Sequence, residues 1–137
     1  EFILQPFTIR TRVSGAQTGG NFELYQLDLG NSTVDYHVHN AMDETLCVVE
    51  GDIEFTVAGR KYQRAAGSVT FIPRGLHHGF TNHGPARAKV LALFTPATGQ
   101  DQYFRELVKL FSAPTLNADA LHALQKQFDQ QLIAPNE

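Results

Sequence analysis

The sequence predicts an all-β fold, a jelly-roll β-barrel followed by two short C-terminal α-helices. Three observations predict it. Between Phe7 and Phe94 apolar and polar residues alternate in short runs, the period-two pattern of half-buried strands. Glycine-rich or polar turns interrupt these runs, giving about eight to ten strands, the count of a jelly roll. After Pro96 the apolar spacing lengthens to that of a helix. A chain of 137 residues suits one core, so 1–137 reads as a single domain, with the barrel over 7–94 and a helical extension over 98–133.

The first strand is carried by Phe7, Ile9, Thr11 and Val13, and a polar, glycine-rich loop over 14–21 releases the chain into a second strand over 22–29. There the apolar parity changes between Leu24 and Leu27, which predicts a bulge or a switch of sheet. Runs over 34–39, 44–50 and 53–57 supply the next strands, with turns at Gly51–Asp52 and Ala58–Gly59 that read as hairpins. Further strands fall over 68–72, 77–82 and 87–94. Tyr103, Phe104, Leu107, Val108 and Phe111 form one helical stripe, opened by Thr98 and Asp101 as a capping box. Leu121, Leu124, Phe128 and Leu132 form a second, opened by Asn117 as N-cap and stopped before Pro135. These apolar faces need cover, from the barrel or from a partner subunit.

Composition narrows the function. The 42% apolar and 18% charged fractions are those of a folded soluble protein, and no apolar run is long enough to span a membrane. Net charge is only -3 and the basic residues are scattered, which argues against nucleic acid as partner. The single Cys47 forms no internal disulfide and residues 1–6 lack a secretion signal, so a cytoplasmic location is expected.

The informative cluster is His37, His39, Glu44 and His78. His37 and His39 lie two apart in a strand and share a face, so both reach one ion. Three imidazoles and a carboxylate suit one divalent first-row ion, among iron, manganese, nickel, cobalt, copper and zinc, and leave positions open for a substrate on a six-coordinate centre. Glu44 doubles as the candidate catalytic base, because a carboxylate that leaves the metal accepts a proton. Glu44 shares parity with Leu46 and Val48, and His78 with Phe80 and Asn82, making these four the candidate substrate-binding wall. His77 and His83 fall out of phase with His78 and read as structural, His122 as solvated, and Cys47 as facing away from Glu44. Tyr36 and Phe55 read as core residues or pocket lining.

The spacing Gly30, six residues, His37-Val38-His39, four residues, Glu44, six residues, Gly51 resembles the first motif of the cupin family. Gly67, five residues, Pro73, one residue, Gly75, two residues, His78, three residues, Asn82 resembles the second. The Gly30-to-His37 gap alone is one residue longer than its commonest form. The stretch from Leu91 through Phe104 to Ile133 further resembles small single-domain cupins of the quercetin-dioxygenase-like kind. This resemblance implies a metal-dependent dioxygenase acting on a small oxygenated organic substrate, with Glu44 taking a hydroxyl proton. A redox-silent isomerase, lyase or cyclase using the same site, or a non-catalytic ligand-binding module, are the alternatives. A homodimer is expected, since pairing through the helices or the first strand would cover apolar faces and sheet edges.

Overall fold

The computed structural model describes residues 1–4 and 6–133. Among them are eleven strands and two helices: β1 (Phe2–Leu4), β2 (Phe7–Val13), β3 (Glu23–Leu29), β4 (Ser32–Val38), β5 (Asp43–Glu50), β6 (Asp52–Val57), β7 (Arg60–Ala65), β8 (Val69–Ile72), β9 (His78–Asn82), β10 (Ala88–Thr95), α1 (Gln100–Ser112), α2 (Ala118–Gln127) and β11 (Gln131–Leu132). Two antiparallel sheets form, one in the order β1-β2-β3-β10-β5-β8 and one in the order β11-β4-β9-β6-β7. Their inner faces share a core that includes Tyr25, Leu29, Leu46, Val48, Ile53, Phe55, Ile72 and Val90. This is the jelly roll that the alternation predicts.

Several local expectations are corrected. The turn at Gly51 is no hairpin: β5 lies in one sheet and β6 in the other, so the chain crosses the sandwich there. Gly51 takes φ 87, and a Cβ on it would stand 2.9 Å from the Ala88 Cβ, so glycine alone makes this tight crossing. Ala58–Gly59 does close a hairpin, between β6 and β7, with φ of 49 and 80 at its two turn residues. The parity change in β3 is neither bulge nor sheet switch. β3 pairs with β10 without a break, Tyr25, Leu27 and Leu29 enter the core, and Leu24 points outward. The irregularity lies across from it in β2, where Thr11 pairs Tyr25 and Val13 pairs Leu24, leaving Arg12 as the extra residue.

The helices pack on their own barrel. Phe104 meets Tyr25 edge-on with ring centres 5.0 Å apart and also contacts Phe2 at 5.9 Å, while Tyr103 stacks against Phe128 at 5.8 Å. The capping box does not form. Gly99 is the N-cap residue of α1 and caps nothing with a side chain. The exposed-amide problem of the helix start is solved instead by Glu23, fully buried at the head of β3. Its carboxyl accepts the Thr98 N–H at 2.6 Å, the Gln100 N–H at 2.9 Å and the Tyr25 hydroxyl at 2.6 Å. Burial first, then Glu23, pushes the Tyr25 phenol pKa well above its usual value, so the hydroxyl stays a donor. Asn117 caps α2 as expected, its side chain accepting the Ala120 N–H at 3.0 Å. Leu132 is not helical: α2 ends at Gln127, the chain turns at Asp129 with φ 63, and Leu132 pairs with His37 as part of β11. Pro135 lies outside the described residues.

Replacing Glu23 with Ala strands two buried donors and a half-buried one and is expected to destabilise the fold by about 3 kcal/mol. The check is a lowered urea midpoint with an unchanged denaturant slope.

Candidate metal centre

Each donor is placed by a specific local device. β4 carries a bulge: Val34 pairs Phe80 and His37 pairs His78, three steps on one strand against two on the other. The additional residue falls inside the Gly30-to-His37 spacing that is one longer than its commonest form, and it turns His37 and His39 inward together. Opposite the bulge sits Gly79, where a Cβ would stand 2.8 Å from the Val34 carbonyl oxygen and 3.1 Å from the Tyr36 nitrogen. Only glycine lets the two backbones approach so closely. His39 is held from the second motif, because the Gly75 N–H donates to its carbonyl oxygen at 2.7 Å. Beside Glu44, the Asp43 carboxylate receives the Arg74 backbone N–H at 2.9 Å and its guanidinium at 3.1 and 3.3 Å, tying β5 to the turn before β9. That guanidinium holds the Asp43 carboxyl below its usual range.

The four predicted ligands come together. One nitrogen or oxygen from each of His37, His39, Glu44 and His78 lies within 4.8 Å of every other, and all four residues are buried. His37 Nε2 is 3.1 Å from His39 Nε2, His78 Nε2 is 2.8 Å from Glu44 Oε1, and His39 Nε2 is 3.4 Å from the same oxygen. The far side of each ring is committed. Nδ1 of His37 donates to the Asp35 carbonyl at 2.6 Å, Nδ1 of His39 to the Asp129 carbonyl at 2.6 Å, and Nδ1 of His78 to the Leu76 carbonyl at 3.0 Å. A carbonyl only accepts, so Nδ1 carries the hydrogen and the three Nε2 lone pairs point inward at a carboxylate. Four converging acceptors in a buried pocket repel one another unless a cation sits among them. The donor set therefore fits a metal ion, and its mixed nitrogen and oxygen character suits a first-row divalent metal.

The titration behaviour follows from this crowding. Burial opposes ionisation of Glu44, yet the adjacent His39 and His78 imidazoles outweigh it and hold the carboxyl well below its ordinary range. Burial, then the neighbouring His78 and His39, pushes His37 down to about 3. For His39 burial works against the charged form, but the hydrogen bond and charge of Glu44 prevail and raise its pKa.

His37, His39 and Glu44 close one end of a cavity of about 590 Å³, with His78 behind them. Ile9, Leu27, Phe80, Ala92 and Phe94 wall it from the strands; Phe104, Leu107, Val108, Phe111 and Leu121 wall it from the helices. Of the four predicted wall residues, Phe80 lines the cavity. Leu46 and Val48 do not: both are fully buried in the core. Asn82 does not either, since its amide donates to the Leu29, Gly30 and Ala86 carbonyls and its oxygen accepts the Gly84 N–H, stapling two loops together. Alternation places these residues on the inner face of their strands but does not say which inner residues border the cavity. Phe55 is buried core, and the Tyr36 hydroxyl accepts the Gly59 N–H at 2.9 Å. His77 packs edge-on against Tyr36, His83 and His122 are exposed, and Cys47 is half-buried. Residues that the sequence did not single out are the helical wall's role in the cavity and Asp129 behind His39. The helix stripes held the signal for the first, read only as packing; nothing marked the second.

A family described as "Cupin domain" matches residues 24–94. The chain belongs to the cupin family. An uncharacterized protein of Streptomyces coelicolor is similar, 40% identical over 73 residues that make up 53% of this cupin and 67% of that protein. The HTH-type transcriptional regulator PuuR of Escherichia coli is 30% identical over 77 residues, 56% of this chain and 40% of PuuR's length. Among solved structures, the polyketide cyclase RemF of Streptomyces resistomycificus shares the fold with a TM-score of 0.59 at 23% identity, over 66% of each chain.

Two outcomes test the centre. Alanine at His37, His39 or His78 is expected to reduce bound metal well below the one equivalent taken up by the unaltered cupin, read by elemental analysis after desalting. Because a metal ion competes with protons for the imidazole nitrogens, zinc affinity is expected to rise from pH 6 to pH 8, with proton release visible by calorimetry in buffers of different ionisation enthalpy. Affinity that stays flat over this range would contradict ligation by these imidazoles.

Proposed function

We propose that this cupin is a metal-dependent oxidoreductase of the dioxygenase type, acting on a small, neutral, oxygen-bearing substrate with a largely apolar frame. The observation that carries the reading is the placement of the four donors at one end of an apolar cavity of about 590 Å³, a size that suits a small organic molecule. Among the described residues no lysine or arginine lines this cavity, and its carboxyls are those of Glu44 and Asp35. Apart from the ion itself nothing in this lining would pair with a negative charge on the substrate frame, so a neutral phenol, enol or ketone fits better.

His37, His39, Glu44 and His78 would hold the ion, which when bound supplies Lewis acidity toward a substrate oxygen and, for a redox-active metal, one-electron chemistry with dioxygen. Glu44 lines the cavity, and its Oε1 is the oxygen nearest His39 and His78. The other oxygen, Oε2, is therefore the one available to accept the hydroxyl proton of a bound enol or phenol. The apolar walls exclude water and orient the frame of the substrate behind its oxygen head.

A second reading, a redox-silent cyclase or isomerase, is favoured by the same Glu44 geometry, which needs no dioxygen to move a proton; RemF, a cyclase, shares this fold. The test is oxygen consumption by iron-, manganese-, nickel-, cobalt- or copper-loaded protein with a panel of flavonols and other enediols. Substrate-dependent uptake is expected, and Glu44→Gln at saturating metal is expected to lower kcat by about 100-fold or more. Turnover by the zinc form under argon would favour the second reading. Ligand binding without product under either condition would leave a binding module, the class suggested by likeness to a regulator.

A further inference from the structure

Behind His39 the chain makes a contact that neither the metal ligands nor the cavity require. α2 ends at Gln127, Phe128 follows as its C-cap, and Asp129 then takes a left-handed conformation with φ 63. The turn is closed by the Gln130 N–H donating to the Gln125 carbonyl at 2.8 Å, the usual end of a helix whose next residue is left-handed. Glycine is the ordinary occupant of such a position, since any side chain there crowds the backbone. This chain has an aspartate.

The aspartate takes hold of the metal-binding strand at three points. Its carbonyl oxygen accepts the His39 Nδ1–H at 2.6 Å; its Oδ1 accepts the Asn40 N–H at 2.7 Å; its Oδ2 accepts the Ala41 N–H at 2.8 Å. One residue thus grips both the ring of a ligand and the two amides that follow it. We propose that Asp129 is a positioning residue of the metal centre, whose carbonyl and carboxylate together fix the orientation of His39, so that the C-terminal turn is part of the site. The proposal rests on the metal-binding reading above and adds to it a residue 90 positions away from His39 in sequence. Groups that orient a metal-bound imidazole commonly change metal affinity 10- to 100-fold when removed.

The left-handed backbone makes the proposal separable from plain stability. Asp129→Gly keeps the turn and the carbonyl, relieves the crowding at Cβ, and removes only the carboxylate grip. If Asp129 were merely structural, losing its hydrogen bonds to the Asn40 and Ala41 amides would change the melting temperature alone and leave the cobalt site as it was. The proposal instead predicts cobalt release to a chelator that is about tenfold faster or more, and a shifted visible cobalt spectrum, whatever the change in melting temperature. Asp129→Asn, which keeps one acceptor oxygen, restores part of the loss. Asn117→Ala, which weakens α2 at its other end, lowers the melting temperature but leaves cobalt release unchanged. An Asp129→Gly protein with the original spectrum and release rate overturns the proposal, as does an Asn117→Ala protein that releases cobalt equally fast. Failure of the unaltered protein to bind cobalt at all would overturn the metal reading first, and this proposal with it.

Discussion

Three imidazole nitrogens and a carboxylate oxygen face one another in a space from which water is largely excluded, and the surrounding structure is organised to keep them there. Each ring is fixed from behind by a carbonyl, so none can turn its proton inward to relieve the repulsion. Such an arrangement is stable only around positive charge, which a bound cation would supply. The bulge in β4, the missing side chain at Gly79 and the turn at Gly75 all serve this convergence by setting where His37, His39 and His78 emerge from the backbone.

The ligands were legible in the sequence because period-two alternation is a local property: His37 and His39 must share a face whatever the rest of the chain does. Phe7–Val13 and the Asn117 cap were legible for the same reason. β7 was not, because all six of its residues are exposed and it carries no alternation to detect. Nor were β1 and β11, three and two residues long, too short for any period. The start of α1 misled because its cap is a distant carboxyl. Thr98 and Asp101 have the spacing of a local cap, but Glu23 reaches the amides first from another strand. Likewise Leu46, Val48 and Asn82 share the parity of the ligands but are taken up by the core or by loop hydrogen bonds, which alternation does not reveal.

Stability and function meet at the C-terminal segment. The helical segment buries Tyr103, Phe104 and Phe128 in the core, while Leu107, Val108, Phe111 and Leu121 line the cavity. The same element therefore completes the hydrophobic core and forms the roof of the space where a ligand would lie. Glu23 anchors the near end of this roof and the α2 turn anchors its far end, so both attachments use buried polar contacts whose geometry is fixed.

That division of the cavity is also a division along the sequence. The stretch matching other cupins, residues 24–94, holds every donor atom and ends before the roof begins. The donor atoms and the helical part of the cavity wall are consequently written in separate parts of the chain, so substitutions in α1 or α2 can reshape the cavity without touching the donor set.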